Sequence, residues 1–127
     1  MRVTVYHNIA RDDAGHHRGF DGYQPGHRLV AVFTCDAGLL DGGPPELLRI
    51  AEAAFCAFNA DPEMLAGVQR ELATRYRRRA LRSLSVGDVL RVGDTVLACD
   101  PVGFREVSGE LNEVRVSEHG THPISGA

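Results

Sequence analysis

Hydrophobic and polar positions alternate at the start of the chain and run together in one stretch near residue 30. They then fall at helical spacing and return to alternation after residue 85. Val3 and Val5 alternate with Thr4 and Tyr6, the period-two pattern of a half-buried strand. Residues 28–35, Arg-Leu-Val-Ala-Val-Phe-Thr-Cys, are apolar almost throughout, which predicts a central strand covered on at least one face. Leu47, Leu48, Ile50, Ala51, Ala54, Phe55 and Phe58 recur every three or four residues and predict a helix over 46–59, with Arg49 and Glu52 on its other side. Pro44-Pro45 stands where a helix opens. Asn59-Ala60-Asp61-Pro62 breaks the pattern, with Asp61 as a cap and Pro62 as the start of a second helix. Met64, Leu65, Val68, Leu72 and Tyr76 make that helix's expected inner face, and Gly67 weakens its first turns.

Alternation returns as two β-rich runs, Val89–Val92 and Thr95–Cys99, separated by Gly93-Asp94. That arrangement predicts a hairpin, because glycine tolerates the positive φ of a tight loop. Gly87-Asp88 forms the turn that opens the first run, and Asp100-Pro101 ends the second. Residues 104–107 alternate again, and Leu111, Val114 and Val116 predict a last strand. The expected fold is α+β: an antiparallel sheet of about five strands with two helices packed on one face. Residues 1–116 form the single expected domain, with a long loop at 8–27. Residues 117–127 read as a flexible tail whose His119 and His122 are solvated.

Composition narrows the function classes. With 127 residues, 43% hydrophobic and 24% charged, the chain is an ordinary globular domain, and its net charge of -3 gives the whole molecule no pull toward nucleic acid or anionic membrane. All 14 basic residues are arginine, which reads mainly as coding bias. Cys35, Cys56 and Cys99 are odd in number, widely spaced and set in apolar runs, the pattern of buried thiols in a reducing cytoplasm rather than of disulfides or zinc ligands. The apolar N-terminal run is too short for a signal-peptide core, and no run of about 20 apolar residues occurs, so a cytoplasmic protein that does not cross a membrane is expected.

Three chemistries compete. Asp12, Asp13, His16, His17 and His27 crowd the long loop and are the place where acid–base or metal chemistry would have to arise. Adjacent histidines on one loop lack ligand spacing, and the solvated-loop reading is preferred, with no metal and no cofactor expected. Arg75, Arg77, Arg78, Arg79 and Arg82 place five guanidinium groups within eight positions, with Tyr76 as a stacking surface. If this segment is helical, Arg75, Arg78, Arg79 and Arg82 share a face and could grip phosphate, against the alternatives of a macrodipole-complementing or salt-bridged helix end. RNA-binding barrels of the PUA-like type carry a similar Gly-Asp turn, an analogy of local pattern only. No nucleophile–base pair, paired carboxylates or phosphate loop stands out, so a non-enzymatic module binding a protein partner of unknown identity is the leading expectation.

The run Arg82-Ser83-Leu84-Ser85-Val86-Gly87-Asp88-Val89, followed by Ala98-Cys99-Asp100 and Val102-Gly103-Phe104, resembles the YodL-like domain family of bacterial mobile elements, phages and conjugative plasmids. The apolar strand at 29–34, the helix at 46–59 and Asn59-Ala60-Asp61-Pro62 follow the order of that family, and Tyr76-Arg77-Arg78-Arg79 is similar to its actinobacterial members. The resemblance covers most of residues 1–107. It implies a genomic setting, an accessory or host-modulating protein, and no reaction. Within the motif, Ser83, Ser85, Gly87, Asp88, Gly103 and Phe104 are expected to be structural, the serines as turn-stabilising hydroxyls.

Overall fold

The computed structural model describes residues 1–40 and 46–114. Pro44-Pro45, Val116, and the tail with His119 and His122 lie outside the described residues. The fold is α+β, with six strands among the described residues: β1 (Arg2–Asn8), β2 (Arg28–Asp36), β3 (Val89–Val92), β4 (Thr95–Cys99), β5 (Phe104–Val107) and β6 (Asn112–Val114). They form one sheet in the order β5-β4-β3-β1-β2-β6. The expected antiparallel, roughly five-stranded sheet is corrected in one respect that matters. β6 pairs parallel to β2, Arg28 opposite Asn112, so the sheet is mixed and gains a sixth strand at that edge.

Among the described residues three α-helices, rather than two, accompany the sheet: α1 (Ala37–Leu40), α2 (Leu47–Asn59) and α3 (Gly67–Arg78). Asp61 Oδ1 accepts from the Glu63 backbone N–H at 3.0 Å, as a cap should, but it opens only a 3₁₀ turn, Pro62–Met64. Gly67, at φ +59°, separates that turn from the rest of α3. The inner face of α3 is therefore Leu72, Ala73 and Tyr76, and the expected core residues Met64 and Val68 are exposed. α2 buries Ile50, Ala51, Ala54, Ala57 and Phe58, while Leu48, Phe55 and Cys56 face solvent. An apolar stripe wider than the contact it serves leaves its margins outside, and Cys56 is thereby not the buried thiol expected of it.

Val3, Val5, Val30, Val32, Phe33, Leu90, Val92 and Leu97 form the cluster under the helices. A bulge opposite Val5/Tyr6 lets the neighbouring residues Val32 and Phe33 both join it, where strict alternation would separate them. The other face is covered as well. Tyr6, Leu29, Val89, Val96 and Ala98 pack with Tyr23 from the long loop and with Val107 and Leu111. This second layer explains why a loop of such polar composition is ordered.

Candidate functional site

The residues from Arg82 to Asp88 form a tight turn around one carboxylate. Asp88 is buried, with 1% of its surface exposed. Its Oδ1 accepts from the Asn8 backbone N–H at 2.8 Å and from Arg82 at 2.7 Å; its Oδ2 accepts from the Ser85 backbone N–H at 2.8 Å and from Arg82 at 2.6 Å. Burial alone would lower the Arg82 pKa, but the hydrogen bonds and charge of Asp88 carry it above its ordinary value. Asn8 continues the network: its amide N–H groups reach the Gly87 carbonyl and His27 Nδ1, both at 3.0 Å, and its Oδ1 accepts from the Ala10 backbone. The turn of the motif is thus tied to both ends of the long loop. Gly87 permits the contact twice over. Its φ is +94°, and a Cβ there would lie 2.5 Å from the Gly19 carbonyl oxygen.

Tyr76 closes the same network from α3. Its hydroxyl donates to the Arg82 carbonyl at 2.7 Å, so at 2.8 Å it must accept the proton of His7 Nε2. His7 Nδ1 is then the bare nitrogen, buried and without a partner among the described residues. Burial holds the His7 pKa down at about 4, against the opposing pull of Asp88. Burial likewise raises Tyr76, pushes Cys35 up to about 12 and pushes Cys99 up to about 11.

The arginine segment does not act as one face. α3 ends at Arg78, Ala80 takes a left-handed φ of +57°, and Arg82 turns back to Asp88. Arg77 donates to the Asn59 carbonyl at 3.1 Å and to Ser83 at 3.3 Å. Arg75 lies over the Phe33 ring at 5.7 Å, and Arg78 is exposed. Arg79 makes further interactions of its own. The loop's acid–base groups do not gather at one point. Asp12 and His16 pair at 3.6 Å on an exposed hairpin closed by the Arg11–His17 bridge, while His27 is buried at the loop's far end, where the charge of His17 helps to lower its pKa. Among the described residues no three His, Cys, Asp or Glu side chains gather where an ion could sit, and no helix is long and apolar enough to cross a membrane.

The described residues include two concavities: Val86, Cys99, Asp100, Gly103 and Phe104 of the motif run line the first, and the second has no counterpart among the motifs. The first, of about 270 Å³, is lined by Phe55, Val86, Cys99, Asp100, Pro101, Gly103 and Phe104 and is mostly apolar. Phe55 meets Phe104 edge to face at 6.2 Å. It adjoins β5, an outer strand of the sheet that pairs only with β4 among the described residues. Arg105 stands on that strand, bonded to Asp100 and to the Tyr23 carbonyl. The other concavity, of about 350 Å³, is polar and lies where the long loop meets β2 and β6. No family model matches the chain, and neither a curated protein nor a solved structure matches it.

Proposed function

We propose that this chain is a non-catalytic interaction module whose partner is a protein segment in extended conformation. The segment adds to the outer side of β5 and places an apolar side chain in the concavity beneath Phe55 and Phe104. The observation that carries this reading is the conjunction of an outer strand with an apolar hollow at its first residue. Main-chain hydrogen bonds along such an edge supply affinity, and a pocket for alternate side chains supplies selectivity. The shifts of His7, Tyr76, Cys35 and Cys99 favour the same reading, since each moves away from the poise that acid–base or nucleophilic work near neutral pH requires. The resemblance to the YodL-like family supplies the setting: an accessory or host-modulating protein of a mobile element or phage, working on a host protein.

A random-peptide library panned against the protein tests the proposal, together with NMR titration of the selected peptides. Peptides with a large apolar residue in an extended stretch are expected. Their shifts should map to residues 104–107 and to Phe55, and binding should be lost in Phe55→Asp, a substitution at a solvent-facing position of α2. Failure to select any peptide would contradict the reading. So would binding that maps elsewhere, or a β5-to-β5 dimer in place of peptide binding.

A further inference from the structure

The polar concavity carries a second site, independent of the β5 edge. It is lined by Arg11, Arg18, Gln24, His27 and Arg28, with Asn112, Ala10, Pro25 and Gly26. No carboxylate is among its lining residues. Arg11 and Arg18 are exposed, and no hydrogen bond or ion pair holds either guanidinium among the described residues. Arg28 adds a further positive charge and has an interaction of its own.

His27 is the fixed point. Its side chain is all but buried, at 4% exposure, and its tautomer is set by its partners. Asn8 is oriented by the Gly87 carbonyl on its amide nitrogen and by the Ala10 N–H on its oxygen, so it presents N–H to His27 Nδ1. The Gln24 backbone N–H reaches the same nitrogen at 3.2 Å. Nδ1 is therefore an acceptor twice over, and the ring proton sits on Nε2. Burial, reinforced by the charges of Arg18 and His17, holds the ring below its ordinary pKa.

We infer that this concavity binds the phosphate monoester group of a small ligand. Two unpaired guanidinium forks and one immobilised N–H donor match the several terminal oxygens and the double charge of a phosphate monoester, where a single carboxylate would leave positive charge uncompensated. The volume of about 350 Å³ is at the small end for ligand pockets and suits a compact phosphorylated molecule. Asn112 donates to the Gly26 carbonyl at 3.1 Å and so ties the rim of the site to β6.

The test is isothermal titration calorimetry on the full chain at low salt, with inorganic phosphate, adenosine monophosphate, malonate, and an oligonucleotide lacking terminal phosphates. Saturable binding of phosphate and of the monophosphate, stronger than that of malonate, is expected. Arg11→Gln and Arg18→Gln should each weaken it roughly tenfold, the worth of one charge-assisted contact. Arg78→Gln, an exposed arginine elsewhere, should leave it unchanged. NMR of the wild-type protein gives a readout independent of any variant: the His27 ring signals should shift on phosphate addition. Absence of phosphate binding would overturn the assignment. Tighter binding of malonate, binding of the oligonucleotide alone, or equal weakening by Arg78→Gln would do the same.

Discussion

Replacing Asp88 with alanine should unfold the motif turn and loosen the long loop together. The magnitude is set by the groups that the carboxylate leaves behind. The Asn8 backbone N–H, in a residue only 2% exposed, loses its acceptor, which costs about 1–3 kcal/mol. The Ser85 N–H is partly buried and adds about 1 kcal/mol. The Arg82 side chain is 42% exposed, so water replaces much of its pairing and its loss contributes at most about 1 kcal/mol. The total is about 2–5 kcal/mol, a large part of the stability of a typical domain. Urea unfolding, with a slope of about 1–3 kcal/mol per molar for small proteins, should show the midpoint falling by roughly 2 M. Asp88→Asn keeps the shape but sets an amide N–H against one pair of donors, and should lie between wild type and alanine. A loss under about 1 kcal/mol for alanine, or an asparagine variant as stable as wild type, would refute the reasoning that this carboxylate anchors the loop.

Other expectations come from the same network and the chain around it. His7 has a folded pKa of about 4 against an ordinary 6.5, so the unfolded chain binds its proton first. The His7 contribution to stability is intact above pH 6.5 and falls by up to about 3 kcal/mol as pH drops toward 4. His17 and His27, also lowered by burial, act in the same direction, and His7→Phe should flatten the slope measured by urea unfolding across that range. Ala80→Gly should stabilise by about 0.5–1 kcal/mol and raise the melting temperature, because a left-handed φ at the end of a helix suits glycine. Fluorescence anisotropy with DNA and RNA across a salt series should show at most weak binding, with a shallow slope set by Arg75 and Arg78. A steep slope removed by substituting Arg75, Arg78 and Arg79 would restore the arginine segment as a nucleic-acid surface.

Elements dictated by local patterning were legible in the sequence. The β3–β4 hairpin turns at Gly93 with φ +60°, and α2 begins and ends within a residue of its predicted bounds. Direction and company were not legible. Three residues of β6 carry no signal that they run parallel to β2, and the four residues Ala37–Leu40 are too few to show helical periodicity. Three- and four-residue spacing groups Arg82 with the helical arginines. That rule ends where Ala80 leaves the helical region, and the partner of Arg82 lies six residues onward in a turn. The anchoring of the motif turn to the long loop depends on Asn8, Gly19 and Gly87 meeting across the fold. The two glycines were visible in the sequence, but their mutual contact was not.

Amide hydrogen exchange of the protein, alone and with a selected peptide, tests the proposed docking mode most directly. An extended segment laid along β5 should slow exchange across residues 104–107 by roughly tenfold or more and leave β6, at the opposite edge of the sheet, unchanged. Protection confined to α3 or to the long loop, with β5 exchanging as in the unbound protein, would contradict it.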